Sequence, residues 1–476
     1  MLPGPIVEIV DGAPAAATLT DTGTRFTAGL AHKGATTGQL TAADAVHSLA
    51  EWITKYGARQ VYNGPEYDSA DAFFSEGGTR MYFSRIAGPA AVRASAAVPA
   101  ASSKFTATAK GPGTYANGYT VAVASGVVTV RDAGGVILEV SPALADTAAA
   151  QTWASETGQH IDITPLAAGA LTDSVAVTLA AGADDRTNIT DIQRQAALDR
   201  LGKDLGPGNV DLAGDSRSAA HTMLAQHALD RNRFAYADAP DTATAATVIA
   251  AGLAIRALGR DRARHIQLLD NWLVAGGTTA GTTRTVPPSG VQAGMAARSD
   301  ARGNPNRAVA GRNGYSGFAI ALKHPRTDAD RGLLADAGVT VYTTEGSRVQ
   351  CYDDLTPVDP VLEPEWLGAA ANRFVMRVVA DALEIANAHM FGSVSGPVDL
   401  VAFNGDLKGM LADWYALGAL YGATPGEAYR VETGPAINTP ATLQARQLRA
   451  ALALKISPNA RQVVINITNT PLTAAL

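Results

Sequence analysis

Hydrophobic and polar positions follow three different textures along this chain, and each predicts a different kind of element. Near the start, Ile6, Val7, Ile9 and Val10 form a β-prone cluster flanked by Pro3, Pro5 and Gly12. Pro5 has no N–H to give to a ladder, so a strand here begins at that point or runs along a sheet edge. Helical spacing predicts a helix over 41–56 with Thr41 as its N-cap, and a second helix from about Tyr67. Between residues 90 and 181 the helical period fades. Runs of valine and isoleucine at 121–123, 127–130 and 136–140 are separated by Gly/Asp turns, and Asp132-Ala133-Gly134-Gly135 reads as a hairpin connection. The small residues 94–103 read as the linker leading into this β-rich insertion.

From residue 185 to 354 short apolar runs alternate with helical patterns. Strands are predicted at 210–213, 233–236, 265–269 and 339–342, with helices between them, including 217–232 and 242–258. That βαβ texture predicts a largely parallel sheet covered by helices. A long helix is predicted over 364–391, with Trp366, Phe374, Val378 and Leu383 on its apolar face. In the last quarter, residues 400–403 read as a short strand. A helix follows, with Leu407, Leu411, Trp414, Tyr415, Leu417 and Leu420 at helical spacing and Gly422 where it should stop. Thr424-Pro425-Gly426-Glu427 reads as a loop, 428–431 as a strand, Asn438-Thr439-Pro440 as a turn, and the following residues as a second apolar-periodic helix. Val463, Val464, Ile465 and Ile467 close the sequence as a β-prone segment.

Composition narrows the function classes. The 476 residues suffice for several domains, and 47% hydrophobic against 17% charged residues places the chain among globular proteins. A net charge of −6 argues against binding nucleic acid through phosphate contacts. The single cysteine, Cys351, cannot form an internal disulfide. The first residues lack the basic and apolar regions of a signal peptide. No apolar run is long enough to cross a bilayer, since Arg256 interrupts the best one at 248–258. No direct membrane insertion is expected.

Candidate chemistry is sparse. Gly214-Asp215-Ser216 follows a predicted strand and precedes a helix, like the nucleophile turn of the Gly-Asp-Ser hydrolases. Those place an Asp-x-x-His pair after the serine. Here that spacing occurs only at Asp44 and His47, ahead of it. A serine without a positioned base is not a nucleophile, so the favoured reading is that Asp215 or Ser216 caps the following helix. His221 and His227 are six apart, which does not place them on one helix face, and no companion ligands stand at metal spacing. Cys351 reads as an inert thiol, and the Gly-rich stretches at 276–279 and 311–317 match no phosphate-binding pattern. Arg298, Arg302, Arg307 and Arg312 form a basic cluster, read as a solvated loop. No metal, cofactor or catalytic residue is assigned.

The order of motifs along the chain resembles that of contractile tail sheath proteins of bacteriophages and related injection machines. The helix followed by Gly422-Ala423-Thr424-Pro425-Gly426-Glu427-Ala428-Tyr429-Arg430-Val431 and then Asn438-Thr439-Pro440 carries most of the likeness. The segment 24–31 with Lys33-Gly34, Phe73-Phe74 with Gly77-Gly78, Lys110-Gly111-Pro112-Gly113, and Val286-Pro287-Pro288-Ser289-Gly290 are also similar. The resemblance implies an α/β and α+β multidomain protein. Its inner α/β domain would combine residues 1–88 with 355–476, its middle α/β domain would span 185–354 with a mostly parallel sheet, and a β-rich domain at 90–184 would lie at the periphery. It also implies a structural role. Copies would polymerise in stacked hexameric rings around an inner tail tube protein, meet baseplate and tail terminator proteins at the ends, and contract from a metastable extended state. Assembly would occur in the host cytoplasm and the product would be the virion tail. The basic cluster gains weight as an intersubunit contact.

Two sites follow from the resemblance. The terminal strands, Ile6, Val7, Ile9, Val10 at one end and Val463, Val464, Ile465, Ile467 at the other, would pair with sheets of neighbouring subunits. Their sequence alone fits equally well with completing the chain's own sheet. The helix carrying Asp406, Lys408, Asp413 and Trp414 is the candidate for facing the tube, with an ordinary core helix as its rival. Two alternatives of other classes stay open at this point: a hydrolase centred on Ser216, or a baseplate structural component.

Overall fold

The computed structural model describes residues 23–389, 394 and 397–461. The chain opens with β1 (Arg25–Gly29), α1 (Leu49–Tyr56), α2 (Gly64–Ser75) and β2 (Met81–Arg85). The helix expected from Thr41 is split. Thr41 caps only a short 3-10 turn at Ala42–Asp44, and α1 starts after its own cap, Ser48, whose side chain accepts from the Glu51 N–H at 3.2 Å. Residues 95–178 then form β3 (Ser95–Val98), β4 (Phe105–Ala109), β5 (Thr120–Ala124), β6 (Val127–Arg131), β7 (Ile137–Ala143), α3 (Thr147–Glu156), β8 (Ile161–Pro165) and β9 (Ser174–Thr178). All pairings within this region are antiparallel, in two sheets ordered β3-β4-β8 and β7-β6-β5-β9. Phe105, Val121, Val128, Val130, Ala150, Ile161 and Leu179 give it a core of its own. The small residues expected to be a lead-in linker are partly β3, since Ser95–Val98 pairs with β4. The module is tied to the rest by Arg85, which donates to Asp184 at 2.6 Å and to the carbonyls of Ala31 and Pro112.

The next stretch holds α4 (Asp191–Asp199), β10 (Asn209–Asp211), α5 (Ser218–Arg231), β11 (Phe234–Asp238), α6 (Ala245–Arg256), α7 (Arg260–Ala263) and β12 (Ile266–Asp270). After these come β13 (Leu273–Gly276), β14 (Thr283–Val286), α8 (Pro288–Asp300), β15 (Ala319–Leu322), α9 (Asp328–Asp336), β16 (Val339–Glu345) and β17 (Arg348–Cys351). The main sheet runs β17-β16-β12-β11-β10-β1-β2 and is parallel except at β16–β17. Strands β1, β2, β11 and β12 are buried at every position, as a sheet covered on both faces requires. Alternate side chains feed two cores. Phe83, Phe234, Tyr236 and Tyr342 pack with α1, α2 and α8, while Phe26, Ala235, Leu268 and Val341 pack with α4, α5, α6 and α9. Helix α8 lies close on α2 because Gly290 and Gly294 lack side chains. A Cβ at either would come within 2.3–2.6 Å of the Ser69 or Phe73 carbonyl oxygen.

This topology joins the opening segment to the sheet built by residues 185–354. Strands β1 and β2 belong to the main sheet, with Phe26 opposite Val210 in parallel register. The register is fixed by a buried ion pair in which Arg25 Nε and Nη2 donate to the Asp211 carboxylate at 2.6 and 2.9 Å.

The last part comprises α10 (Ala369–His389), α11 (Pro397–Ala416), α12 (Pro425–Ala428), β18 (Tyr429–Glu432), α13 (Pro440–Gln444) and β19 (Ala451–Leu454). Three expectations are corrected here. The long helix starts at Ala369, because Pro364–Trp366 forms a separate 3-10 turn. Residues 400–403 lie inside α11 and not in a strand. Phe403 heads the series Phe403, Leu407, Met410, Leu411 and Trp414 that packs on Phe374 and Val378 of α10. After Pro440 the helix lasts five residues, and the apolar residues beyond it form β19.

Candidate assembly surfaces

Helix α11 divides its side chains by face. Trp414 is 1% exposed, its ring stands edge-on to Phe374 at 5.5 Å, and its indole N–H donates to Asp381 at 3.1 Å. It is a core residue, which corrects its expected place on a tube-facing surface. Asp406, Lys408 and Asp413 are exposed on the other side of the same helix, and the Asp406 carboxylate lies 2.8 Å from the His389 ring.

The hairpin of β18 and β19 pairs Tyr429 with Leu454 and Glu432 with Ala451. Asn438, 3% exposed, clips its closed end. Its amide donates to the carbonyls of Thr433 and Arg449 at 2.7 and 2.8 Å and accepts from the Arg449 N–H at 2.8 Å. The asparagine of the Asn-Thr-Pro motif thus holds a hairpin, a role its sequence context gave no sign of. Among the described residues, neither strand has a further ladder partner, and on the outer edge of β18 the Val431 carbonyl accepts from the Asn404 amide of α11 at 3.3 Å. The chain leaves this region at Arg461, whose guanidinium holds Asp353 through contacts of 2.6 and 3.0 Å. The expected arm residues Ile6, Val7, Ile9, Val10, Val463, Val464, Ile465 and Ile467 lie outside the described residues.

The Gly-Asp-Ser turn is occupied by structural bonds. The Gly214 N–H donates to the buried Asp238 carboxylate at 2.8 Å, and Asp215 is engaged by Arg217 and Arg194. The N-cap of α5 is Arg217, with no side-chain cap, so neither Asp215 nor Ser216 plays the expected capping role. The nearest histidine in sequence, His221, is turned to the Asp238 carbonyl at 3.0 Å. Burial pushes Asp238 up to about 7, while the three hydrogen bonds it accepts from Gly214 and Ser289 oppose that rise. His227 is buried, and burial together with Arg233, whose N–H donates to its ring at 2.9 Å, lowers it to about 3. Cys351 is buried and its thiol is pushed well above its usual range. Among the described residues, no group of three or more His, Cys, Asp or Glu side chains is placed to hold a metal ion.

The arginine cluster separates into two kinds. Arg298 donates to the buried Glu76 carboxylate at 2.7 Å, and Glu76 in turn accepts from Ser316 and the N–H groups of Gly317 and Phe318. Arg302 and Arg312 are exposed and meet Arg348 around a surface cleft of about 440 Å³. Arg348 had no place in the sequence-based cluster because it arrives from β17.

No protein-family model and no curated protein matches the chain by sequence. Solved structures do match it in three dimensions. The sheath tail protein from Listeria innocua aligns with a TM-score of 0.60 at 13% identity, over 87% of this chain and 89% of that one. The sheath tail protein from Desulfitobacterium hafniense gives 0.58 at 12%, over 90% and 93%. A chain of the anti-feeding prophage baseplate in its contracted state gives 0.60 at 15%, over 100% of both chains. From its parallel main sheet to its β18–β19 hairpin, this chain has the fold of the sheath tail proteins.

Proposed function

We propose that this chain is the structural subunit of a contractile tail sheath. The observation that carries the reading is a fold match over 98% of this chain and 99% of a chain of the anti-feeding prophage helical sheath in its contracted state. The two-stranded β18–β19 hairpin supports it, since such a sheet gains stability by accepting strands from elsewhere. In this reading the segments holding Ile6–Val10 and Val463–Ile467 of neighbouring subunits extend that sheet and knit the polymer. Rings stack around an inner tube, with the exposed face of α11, bearing Asp406, Lys408 and Asp413, turned toward it. Baseplate and terminator proteins close the ends, and the assembled sheath forms part of a virion or of a related injection particle. Contraction draws on the free energy of subunit contacts, and no residue serves as a catalyst. Purified protein examined by negative-stain microscopy should form tubes with a ring repeat. Discrete particles at every concentration and salt condition would refute the reading. Esterase activity lost in Ser216→Ala would favour the hydrolase in its place.

A further inference from the structure

The cleft and a loop on the far end of the sheet form a complementary pair. Arg302, Arg312 and Arg348 line the cleft, and among the described residues none of them is in an ion pair. Arg298, at its inner side, is already neutralised by Glu76. The Arg348 guanidinium lies over the Tyr315 ring at 5.5 Å, so the cleft has an aromatic wall beneath a basic rim. The Glu345 carboxylate, opposite Arg348 and bonded to the Tyr315 hydroxyl, offsets part of this charge. The remaining excess of arginines in the cleft attracts an anionic partner and disfavours a basic one.

The loop at residues 359–365 has the opposite character. Val361 and Leu362 are 83% and 77% exposed between Pro360 and Pro364. Their backbone is held in place: the Asp359 carboxylate accepts from the N–H groups of Val361 and Leu362 at 2.9 and 3.0 Å. A tip fixed in advance loses little freedom on docking. Asp359, Glu363 and Glu365 flank it. The arginines behind it are occupied, Arg256 by the carbonyls of Pro357 and Asp336, Arg264 by the face of Trp366, and Arg260 by Asp261 and Glu363. Neither Asp359 nor Glu365 is in an ion pair among the described residues.

The two features cannot meet within one subunit. Pro357 packs on Gly338 at the start of β16, whereas Arg348 follows the end of that strand, seven residues and about 20 Å away. A pair of complementary surfaces at opposite ends of one rigid sheet generates a head-to-tail contact, which closes a ring or propagates a helix. The chain's net charge of −6 makes copies repel on average, so a basic cleft is where a second copy gains most.

We propose that the Val361–Leu362 tip of one subunit seats in the Arg302–Arg312–Arg348 cleft of the next. This rests on the chain being a self-assembling sheath subunit, and names one contact of that assembly. The test compares the wild type with Arg302→Glu/Arg312→Glu/Arg348→Glu, with Glu363→Lys/Glu365→Lys, and with the chain carrying all five changes. Sedimentation and microscopy give the concentration at which polymers form. Each set alone should raise that concentration about tenfold or more, and the combined chain should recover most of the loss. Independently, chains with Arg312→Cys mixed with chains with Leu362→Cys should give a disulfide-linked dimer, while neither does so alone. If the charge-reversed chains form tubes at the wild-type concentration and no crosslink appears, the contact is overturned and the sheath reading stands. Assembly lost in the cleft variant but not recovered by the loop changes, again without a crosslink, means the cleft meets another acidic surface, which also overturns it. A wild type that does not assemble, with no crosslink between the two cysteine-bearing chains, removes both.

Discussion

The residue with the most to hold is Arg25. Its side chain and that of Asp211 are fully buried, and Ser69 and Thr27 complete the network by hydrogen-bonding to one or the other. Arg25→Met leaves the carboxylate buried without its cation and should lower unfolding free energy by about 3–5 kcal/mol, whereas Arg25→Met/Asp211→Leu should recover part of that. Urea denaturation checks this; a single-variant loss below about 1 kcal/mol would mean the pair does not hold β1 on β10. His227 carries a proton-linked signature. Its folded value, about 3, lies below the unfolded 6.5, so the folded state binds fewer protons. Its contribution is fully present above pH 6.5 and is lost as pH falls toward 3, on the order of 3 kcal/mol by pH 4. Asp238 acts in the opposite direction, since its raised value favours the folded state at low pH and is lost as pH rises through about 7. The difference between wild type and His227→Gln isolates the histidine. The gap between their denaturation midpoints should change in the variant's favour from pH 7 to pH 4, and a constant gap would refute the assignment.

At the scale of elements, the β18–β19 hairpin is the piece whose pairing is incomplete within the described chain. If residues 463–467 add a strand to a neighbour's hairpin, ending the chain after Arg461 removes an interface and leaves the subunit's own cores and the Arg461–Asp353 ion pair intact. The product should be a folded, soluble monomer with a thermal midpoint within a few degrees of the full chain, unable to form tubes. Ile465→Pro should act in the same direction, because proline removes a ladder donor. A cooperative transition at much lower temperature would place that strand in the subunit's own sheet, and normal tubes would end the exchanged-arm idea for this terminus.

For the whole molecule, the β-rich module has its own core and meets the rest of the chain where Val92 bridges Ala183, Arg85 holds Asp184, Gly111 lies against the Gly34 carbonyl and Tyr115 against His32. Excision should respect that junction. Removing residues 93–182 with a short Gly/Ser bridge takes out β3 together with its partner β4, whereas a cut at residue 100 would strand β3. The shortened chain should fold and still polymerise, with thinner tubes in projection. Insoluble product would show that the main body depends on the module.

Strong local periodicity was enough to read some elements from the sequence. The hairpin around Asp132–Gly135 and helix α5 carry runs long enough to show their period, while the parallel strands β10, β11, β12 and β16 were legible as short β-prone runs alternating with helical patterns. The order of motifs also pointed to the sheath fold, since turns and caps are local chemistry. Partner choice was not legible. Parallel strands have no turn between them, so nothing near β1 marks β10, some 180 residues later, as its neighbour; the buried Arg25–Asp211 pair decides it. Nor was the helix at 400–403 legible, because four apolar residues satisfy a strand as well as a helix until Phe403 is seen against α10. Trp414 was visible as apolar, but only packing on Phe374 and Asp381 turned it inward. The basic cleft needed Arg348 from a distant strand. Sequence sets what each segment can become, because propensity and capping act over a few residues. Which segments meet, and so which surfaces remain for another subunit, depends on burial and charge pairing between residues that only the folded chain brings together.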